Sequence, residues 1–206
     1  MPVSGPQPPA PATIHPSMLT RVGGWLFRHR TVIPLPIALA LIILPPASSS
    51  LNLVWLGVAV VALGEGLRLG AVRHIGTISR TRTDRLGPLI AAGPFAWVRN
   101  PLYIGNMALW VGLALVARLP WLALPIAILL GLEYHAIVRW EEGLLVGRLG
   151  QPYRDYMMTV PRWMPRAPRT AATALPPAFS WRETLFSERG TLIAIAVGLL
   201  LLWVKA

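Results

Sequence analysis

Residues 51–70 read LNLVWLGVAVVALGEGLRLG, an apolar run long enough to cross a membrane as one helix. Only Glu65 and Arg68 interrupt it with charge. A single charged side chain at such a depth costs about 3 kcal/mol or more, so it is expected to face the protein interior or a partner. Because helical residues three positions apart share a face, the spacing predicts an internal ion pair between the two residues.

Apolar runs of similar character recur along the chain. Hydrophobic residues make up 54% of the 206 residues and charged residues only 13%, which is atypical of a soluble globular protein. The sequence therefore predicts an all-α, polytopic integral membrane protein with five transmembrane helices. The predicted spans are residues 31–46, 51–70, 101–116, 121–138 and 191–204, of which the first is shortened by four prolines.

The positive charge is distributed on one side of these spans. Short loops rich in arginine are retained in the cytoplasm, which predicts a cytoplasmic N-terminus and an external C-terminus in a bacterial inner membrane. The net charge of +11 is thereby assigned to topology and to membrane lipids as partners, with no nucleic acid. The basic groups are Arg21, Arg28 and Arg30 before the first span, Arg73, Arg80, Arg82 and Arg85 after the second, and residues 139–189 between the fourth and fifth.

Composition divides the chain into three parts. Residues 1–20 are proline-rich and are expected to form a disordered tail. Residues 21–170 are expected to form a core of four spans with their cytoplasmic segments, and residues 171–206 an amphipathic connector and a fifth transmembrane helix. The chain has no cysteine, which excludes disulfides and thiolate metal sites, and no metal site is predicted. No pattern in the sequence indicates an oligomeric state.

The cytoplasmic segment between the second and third spans contains the short apolar run LIAA. Gly87, Pro88, Gly93 and Pro94 flank this run and prevent a continuous helix, so its backbone needs hydrogen-bond partners in protein or ligand. Two interpretations have equal weight. The turn lines a ligand pocket, or it is an amphipathic connector that holds the third span.

The segment after the fourth span places Arg139, Glu141 and Glu142 at the membrane edge. Neighbouring residues on a helix point about 100° apart, so one glutamate can bind a ligand while the other pairs with an arginine. The simpler alternative is that both pair with arginines in solvent. Glu133 lies deeper in the same span, where a role in substrate binding is the less favoured interpretation and an interior contact the more favoured one.

Together, LIAAGPFAWVRNPLYIGN and RWEEGLLVGRLGQPYRDYMMTVPRWMP resemble the integral-membrane isoprenylcysteine carboxyl methyltransferase and phospholipid methyltransferase superfamily. One departure is Asn100, which occupies a position where that family has histidine and which cannot carry a proton near neutral pH. The matching residues are Gly93, Pro94, Phe95, Arg99, Pro101, Tyr103 and Gly105 in the first stretch, and Glu141, Glu142, Leu145, Gly150, Tyr153, Tyr156, Pro161 and Arg162 in the second.

The resemblance implies S-adenosylmethionine as cofactor, bound in a pocket on the cytoplasmic side, and a lipophilic methyl acceptor that enters from the bilayer. It implies catalytic roles for Arg162, which would fix a carboxylate acceptor, and for Glu142, which would take a proton from an amine acceptor. The residues it implies for cofactor binding are Leu89, Ile90, Ala91, Gly93, Arg99, Asn100, Pro101, Tyr103, Gly105, Glu141, Glu142 and Tyr153.

Two other functions fit the same segments. Membrane reductases of the sterol-reductase type use a nicotinamide nucleotide in a comparable pocket, although paired glutamates suit its phosphates poorly. A non-enzymatic membrane scaffold would use Arg99, Glu141 and Glu142 only as salt bridges between helices. The identity of the acceptor, whether an isoprenoid, a lipid or another hydrophobic molecule, is not encoded in any recognisable pattern.

Overall fold

The computed structural model describes residues 18–76, 89–168 and 177–205, and every regular element within these ranges is a helix. The expectations for residues 1–17, for Gly87, Pro88 and the arginines at 80, 82 and 85, and for residues 169–176 fall outside the described residues. The elements are α1 (Met18–His29), α2 (Leu35–Ile43), α3 (Leu51–Ile75), a 3-10 turn (Gly93–Ala96), α4 (Pro101–Val116), α5 (Pro120–Leu149), α6 (Gln151–Thr159) and α7 (Trp181–Lys205).

The expectation of five spans is wrong for the part of the chain that the structure describes. Three helices there, α3, α5 and α7, are long and apolar enough to cross a membrane, and α4 is a shorter apolar helix. The segment 31–46 forms only the nine-residue α2, about 14 Å long against a hydrocarbon layer of about 30 Å. The prolines at 34, 36, 45 and 46 explain this, since proline lacks the backbone N–H that helix propagation needs.

Among α3, α4, α5 and α7, each helix runs in the opposite direction to the one before it. The bundle therefore has two distinct ends. At one end, called the site end below, α3 finishes beside the 3-10 turn, and the Arg73 guanidinium lies 4.5 Å from the ring of Trp181, the first residue of α7. At the opposite end, Ala47 N–H donates to the carbonyl of Arg118, after α4. There the last residues of α7 also return to α2, because the Lys205 ammonium donates to the Leu41 carbonyl at 2.6 Å.

Glycines allow α3 and α4 to pack backbone against backbone. A Cβ at Gly57 would lie 2.7 Å from the carbonyl oxygen of Gly112, and a Cβ at Gly64 would lie 2.8 Å from that of Gly105. Small residues at such points let membrane helices approach closely, where dispersion forces replace the hydrophobic effect that lipid cannot supply. This contact sets the position of Tyr103 and the start of α4 relative to α3.

A buried ion-pair network joins three helices below the site end. Arg68 Nε contacts the Glu65 carboxylate at 3.0 Å, which confirms the pair expected from their spacing. The same guanidinium contacts Glu188 of α7 at 2.7 Å and donates to the side-chain oxygen of Asn106 on α4. Buried charges of this kind require partners, so Arg68 explains how α7 is held against α3 and α4.

Candidate active site

The two polar stretches singled out in the sequence lie against each other at the site end. Arg99 N–H donates to the carbonyl of Pro161 at 2.9 Å, and Arg166 N–H donates to that of Trp97 at 3.0 Å. The Tyr156 hydroxyl of α6 donates to the Phe95 carbonyl at 2.7 Å. These bonds satisfy backbone groups of the irregular segment before α4, which would otherwise be costly to bury. They also hold that segment against the non-helical segment that follows α6.

Gly93 begins the 3-10 turn with a backbone conformation that other residues rarely adopt. Its φ is +58°, and a Cβ there would lie 2.3 Å from the imidazole of His74. His74 is itself held by a 2.8 Å contact between Nδ1 and the Gly70 carbonyl. Residues 89–91, which precede the turn, are half-buried and non-helical, so the segment expected to expose backbone does leave the helical path here.

Glu142 is the centre of a buried charge cluster. Its carboxylate accepts hydrogen bonds from Arg162 Nε at 3.1 Å and from Arg162 Nη2 at 2.6 Å, and it lies 3.4 Å from Arg99 Nη2. Glu142 is only 5% exposed. The hydrogen bonds to Glu142 raise the pKa of Arg162 above its already high ordinary value, so Arg162 is charged at any physiological pH.

Glu141 points to a different partner, as neighbouring helical positions require. Its carboxylate accepts a 2.9 Å hydrogen bond from the Tyr103 hydroxyl of α4. The Tyr103 ring also packs against that of Tyr134, with centroids 4.9 Å apart. One oxygen of Glu141 is thereby engaged, and a carboxyl group has further acceptor positions for a ligand.

Arg99 carries donors that the fold does not use. Its side chain is 9% exposed, and Nη2 faces Glu142. Nε and Nη1 are buried and have no hydrogen-bond partner. Unpaired buried donors are rare in folded proteins and usually mark a functional group or a missing ligand. Within the cluster, Arg99 is therefore the side chain best suited to bind an anion.

Of three further predicted site residues, Asn100 and Pro101 lie near the charge cluster and Gly105 does not. Asn100 Nδ2 donates to the Arg162 carbonyl at 3.1 Å, so Asn100 ties the two stretches together. Pro101 begins α4 and is buried. Gly105 lies one turn further on, but it faces Gly64 and Arg68 in the α3 contact rather than the charge cluster.

Tyr153 and Tyr156 of α6 are buried near Glu142. Their ring centroids are 5.8 Å apart, and each is less than a tenth exposed. Burial raises the pKa of both tyrosines well above the ordinary value, with the Glu142 carboxylate adding to the effect. Their hydroxyls are consequently protonated and can act as donors.

Two residues near the cluster were missed by the sequence reasoning. Tyr134 lies seven residues before Glu141, a spacing of two helical turns that could have indicated it. Arg30, in the turn after α1, acts electrostatically on both Tyr103 and Glu141. No local pattern distinguishes Arg30 from the neighbouring arginines, because its position depends on how α1 packs.

Known proteins give two kinds of match. The Nickel-cobalt-cadmium resistance protein NccN of Alcaligenes xylosoxydans xylosoxydans is 29% identical over 158 residues, which cover 76% of this chain and 72% of that protein. The Cobalt-zinc-cadmium resistance protein CzcN of Cupriavidus metallidurans is 25% identical over 155 residues, covering 74% of this chain and 71% of that protein. No solved structure gives a significant match.

The model of the phospholipid methyltransferase family matches residues 52–151. This region contains almost all of α3 and the whole of α4 and α5, and with them Arg99, Tyr103, Glu141 and Glu142. The resemblance noted in the two polar stretches is thus confirmed by a match that includes all of the first stretch and the start of the second. Residues 52–151 of this chain, just under half of its length, therefore match the phospholipid methyltransferase family, whose superfamily also includes the isoprenylcysteine carboxyl methyltransferases.

Proposed function

We propose that this membrane protein transfers a methyl group from S-adenosylmethionine to a lipophilic acceptor at the cytoplasmic face of a bacterial inner membrane. The observation that carries the proposal is the buried Arg99 guanidinium, which has two unused donor nitrogens beside Glu142 in the region matched by the family. The cytoplasmic orientation is supported by the arginines of α1, α6 and the chain after α6, which gather toward the site end.

The residues present fit this cofactor, whose sulfonium group supplies a methyl that a nucleophile can displace. Arg99 has N–H donors suited to the carboxylate of the methionine part. Glu141 has acceptor positions for ribose hydroxyls or the ammonium group, and Tyr103 positions that carboxylate while offering its ring as a packing surface. Backbone at residues 89–93 and the amide of Asn100 complete the proposed binding set.

Glu142 and Arg162 are proposed to orient the acceptor. Arg162 uses Nε and Nη2 on Glu142, which leaves Nη1 as a donor for an anionic acceptor group. The Glu142 carboxylate already accepts two hydrogen bonds from Arg162 and lies 3.4 Å from Arg99, so its oxygens are occupied by the two guanidinium groups. This pairing favours an acceptor that is already an anion, such as a carboxylate, over an amine that must first lose a proton to Glu142.

The names of the two relatives concern resistance to nickel, cobalt, zinc and cadmium. Among residues 18–76, 89–168 and 177–205, no three His, Asp or Glu side chains form a group that could hold a metal ion. If this chain contributes to metal tolerance, we propose that it does so through methylation of a membrane component. Methyl transfer into lipid extracts of cells grown with and without added cobalt would test that link.

Binding of the cofactor is the direct test of the proposal. Purified protein in detergent is expected to bind radiolabelled S-adenosylmethionine, and Arg99→Gln is expected to weaken binding about 10-fold or more because a charge-assisted hydrogen bond contributes about 1.5–3 kcal/mol. Arg148→Gln is the matched control, since Arg148 lies exposed at the end of the same helix as Glu142.

Three results distinguish the alternatives. Equal binding by the wild type and Arg99→Gln would remove Arg99 from the site. Binding of a nicotinamide nucleotide in place of S-adenosylmethionine would support a reductase. Binding of neither compound would support a scaffold, in which Arg99, Glu141 and Glu142 serve only to hold helices together.

A further inference from the structure

We propose that Arg30 holds an oxyanion of the lipophilic acceptor and thereby selects which membrane molecules are methylated. The inference rests on the proposed function and adds a residue outside the family region, which begins at residue 52. The shared chemistry is a phosphate or a carboxylate near the reacting atom.

Two consecutive glycines bring α1 into contact with α5. A Cβ at Gly23 would lie 2.1 Å from the Ala136 carbonyl oxygen, and a Cβ at Gly24 would lie 2.9 Å from the indole nitrogen of Trp140. No residue with a side chain fits at Gly23 without separating the helices. This close approach brings the turn after α1 to the part of α5 that carries Glu141.

The Arg30 side chain folds inward from that turn. Its guanidinium carbon lies 3.9 Å from the centre of the Phe27 ring, and the Phe27 ring packs 5.0 Å from that of Trp140, the residue before Glu141. Its positive charge acts on Tyr103, Tyr134 and Glu141. Arg30 therefore belongs to the same electrostatic environment as the candidate site, although α1 lies far from it in sequence.

Arg30 has a donor available there. Its Nη1 is buried and has no hydrogen-bond partner. Together with the candidate site, Arg30 makes a group in which three guanidinium groups outnumber two acidic side chains. These residues are Arg30, Arg99, Arg162, Glu141 and Glu142. Two of these guanidinium groups retain buried, unused nitrogens, which suits more than one anionic group.

The acceptor suits Arg30 better than the cofactor does. S-adenosylmethionine has one carboxylate, which Arg99 is proposed to hold beside Glu142, so the unused donor of Arg30 is available for a second anion. On α1, Val22 and Trp25 are exposed alongside Arg21 and Arg28, a composition typical of helices at a membrane interface. Arg30 is therefore assigned to an acceptor that enters from the bilayer.

Binding of simple amphiphiles tests the inference without requiring turnover. The probes are radiolabelled dodecyl phosphate and dodecanoate, with dodecyltrimethylammonium as the cationic counterpart, each added to protein in a neutral detergent. The wild type is expected to bind at least one anion, and Arg30→Gln to bind it about 10-fold more weakly. Arg30→Lys is expected to recover part of the affinity because it keeps the charge but not the planar donor pair.

Arg28→Gln is the matched control, because Arg28 is exposed near the end of α1, two residues before Arg30. It should bind the anions as the wild type does. Dodecyl phosphate alone as ligand would identify a phosphate-bearing acceptor, and dodecanoate alone a carboxylate-bearing one. No anion binding by the wild type, or equal binding by Arg30→Gln, overturns the inference.

S-adenosylmethionine binding by the same preparations separates this inference from the proposed function. Normal cofactor binding with anion binding that is insensitive to Arg30 sinks the inference alone. Absence of S-adenosylmethionine binding by the wild type overturns the proposed function, whether or not the amphiphiles bind. The unfolding temperature of each variant shows whether Arg30→Gln has lost the fold, and in that case Arg30→Lys decides the result.

Discussion

Replacing Glu142 by glutamine should destabilise the protein far more than the same change at Glu141. Glu142 is buried and faces two guanidinium groups, with three contacts of 2.6–3.4 Å. Glu142→Gln removes the negative charge that faces both Arg99 and Arg162 while keeping nearly the same shape. The variant therefore isolates the electrostatic contribution of the cluster from its packing.

The size of the effect follows from burial. Removing one partner of a buried ion pair costs about 3–5 kcal/mol. Here the amide oxygen still accepts one hydrogen bond, and Arg162 is 26% exposed and partly screened by solvent. We therefore expect a loss of about 2–3 kcal/mol, or roughly 5–10 °C in unfolding temperature for a chain of this length.

The control is Glu141→Gln, because Glu141 accepts one hydrogen bond from a neutral Tyr103 hydroxyl. Glutamine can accept the same bond, so the expected loss is about 1 kcal/mol or less. Unfolding in detergent, followed by tryptophan fluorescence, measures both variants. Equal unfolding temperatures for the two, or a stabilised Glu142→Gln, would refute the reasoning that Glu142 neutralises the two arginines.

Three further predictions concern the packing that positions the site. Gly64→Val should lower the yield, and the free energy of unfolding by about 3 kcal/mol if the protein folds, because the valine side chain meets the α4 backbone. Gly143→Val is the control in the same unfolding assay, since Gly143 has open space around it. Tyr156→Phe should lose about 1–2 kcal/mol with its hydrogen bond to Phe95, and proteolysis before α4 should accelerate. Burial raises the pKa of Tyr153 and Tyr156, so on raising the pH these tyrosines ionise in the unfolded chain before they ionise in the folded protein. The stability that the two tyrosines contribute is therefore complete below pH about 10 and falls above it. Melting curves at pH about 9 and about 11 will test this.

Most helices could be predicted from the sequence, because a helix in lipid requires only a sufficient apolar run. The segment 101–116 coincides with α4, and the runs at 51–70, 121–138 and 191–204 lie within α3, α5 and α7. The Glu65–Arg68 pair was equally accessible, since one helical turn joins them. The segment 31–46 is apolar enough for a span, but its closely spaced prolines limit the length of its helix.

The sequence by itself determined which residues are apolar enough for lipid and which polar groups lie near a helix end. Tertiary structure alone decided which polar groups meet: Glu142 with Arg162 and Arg99, Glu141 with Tyr103, and Arg30 with that same cluster. The physical reason is that local spacing fixes only neighbours within a turn or two. Contacts between distant residues depend on how closely the helices approach, and in this chain bare glycine backbones at the α1–α5 and α3–α4 contacts set that distance.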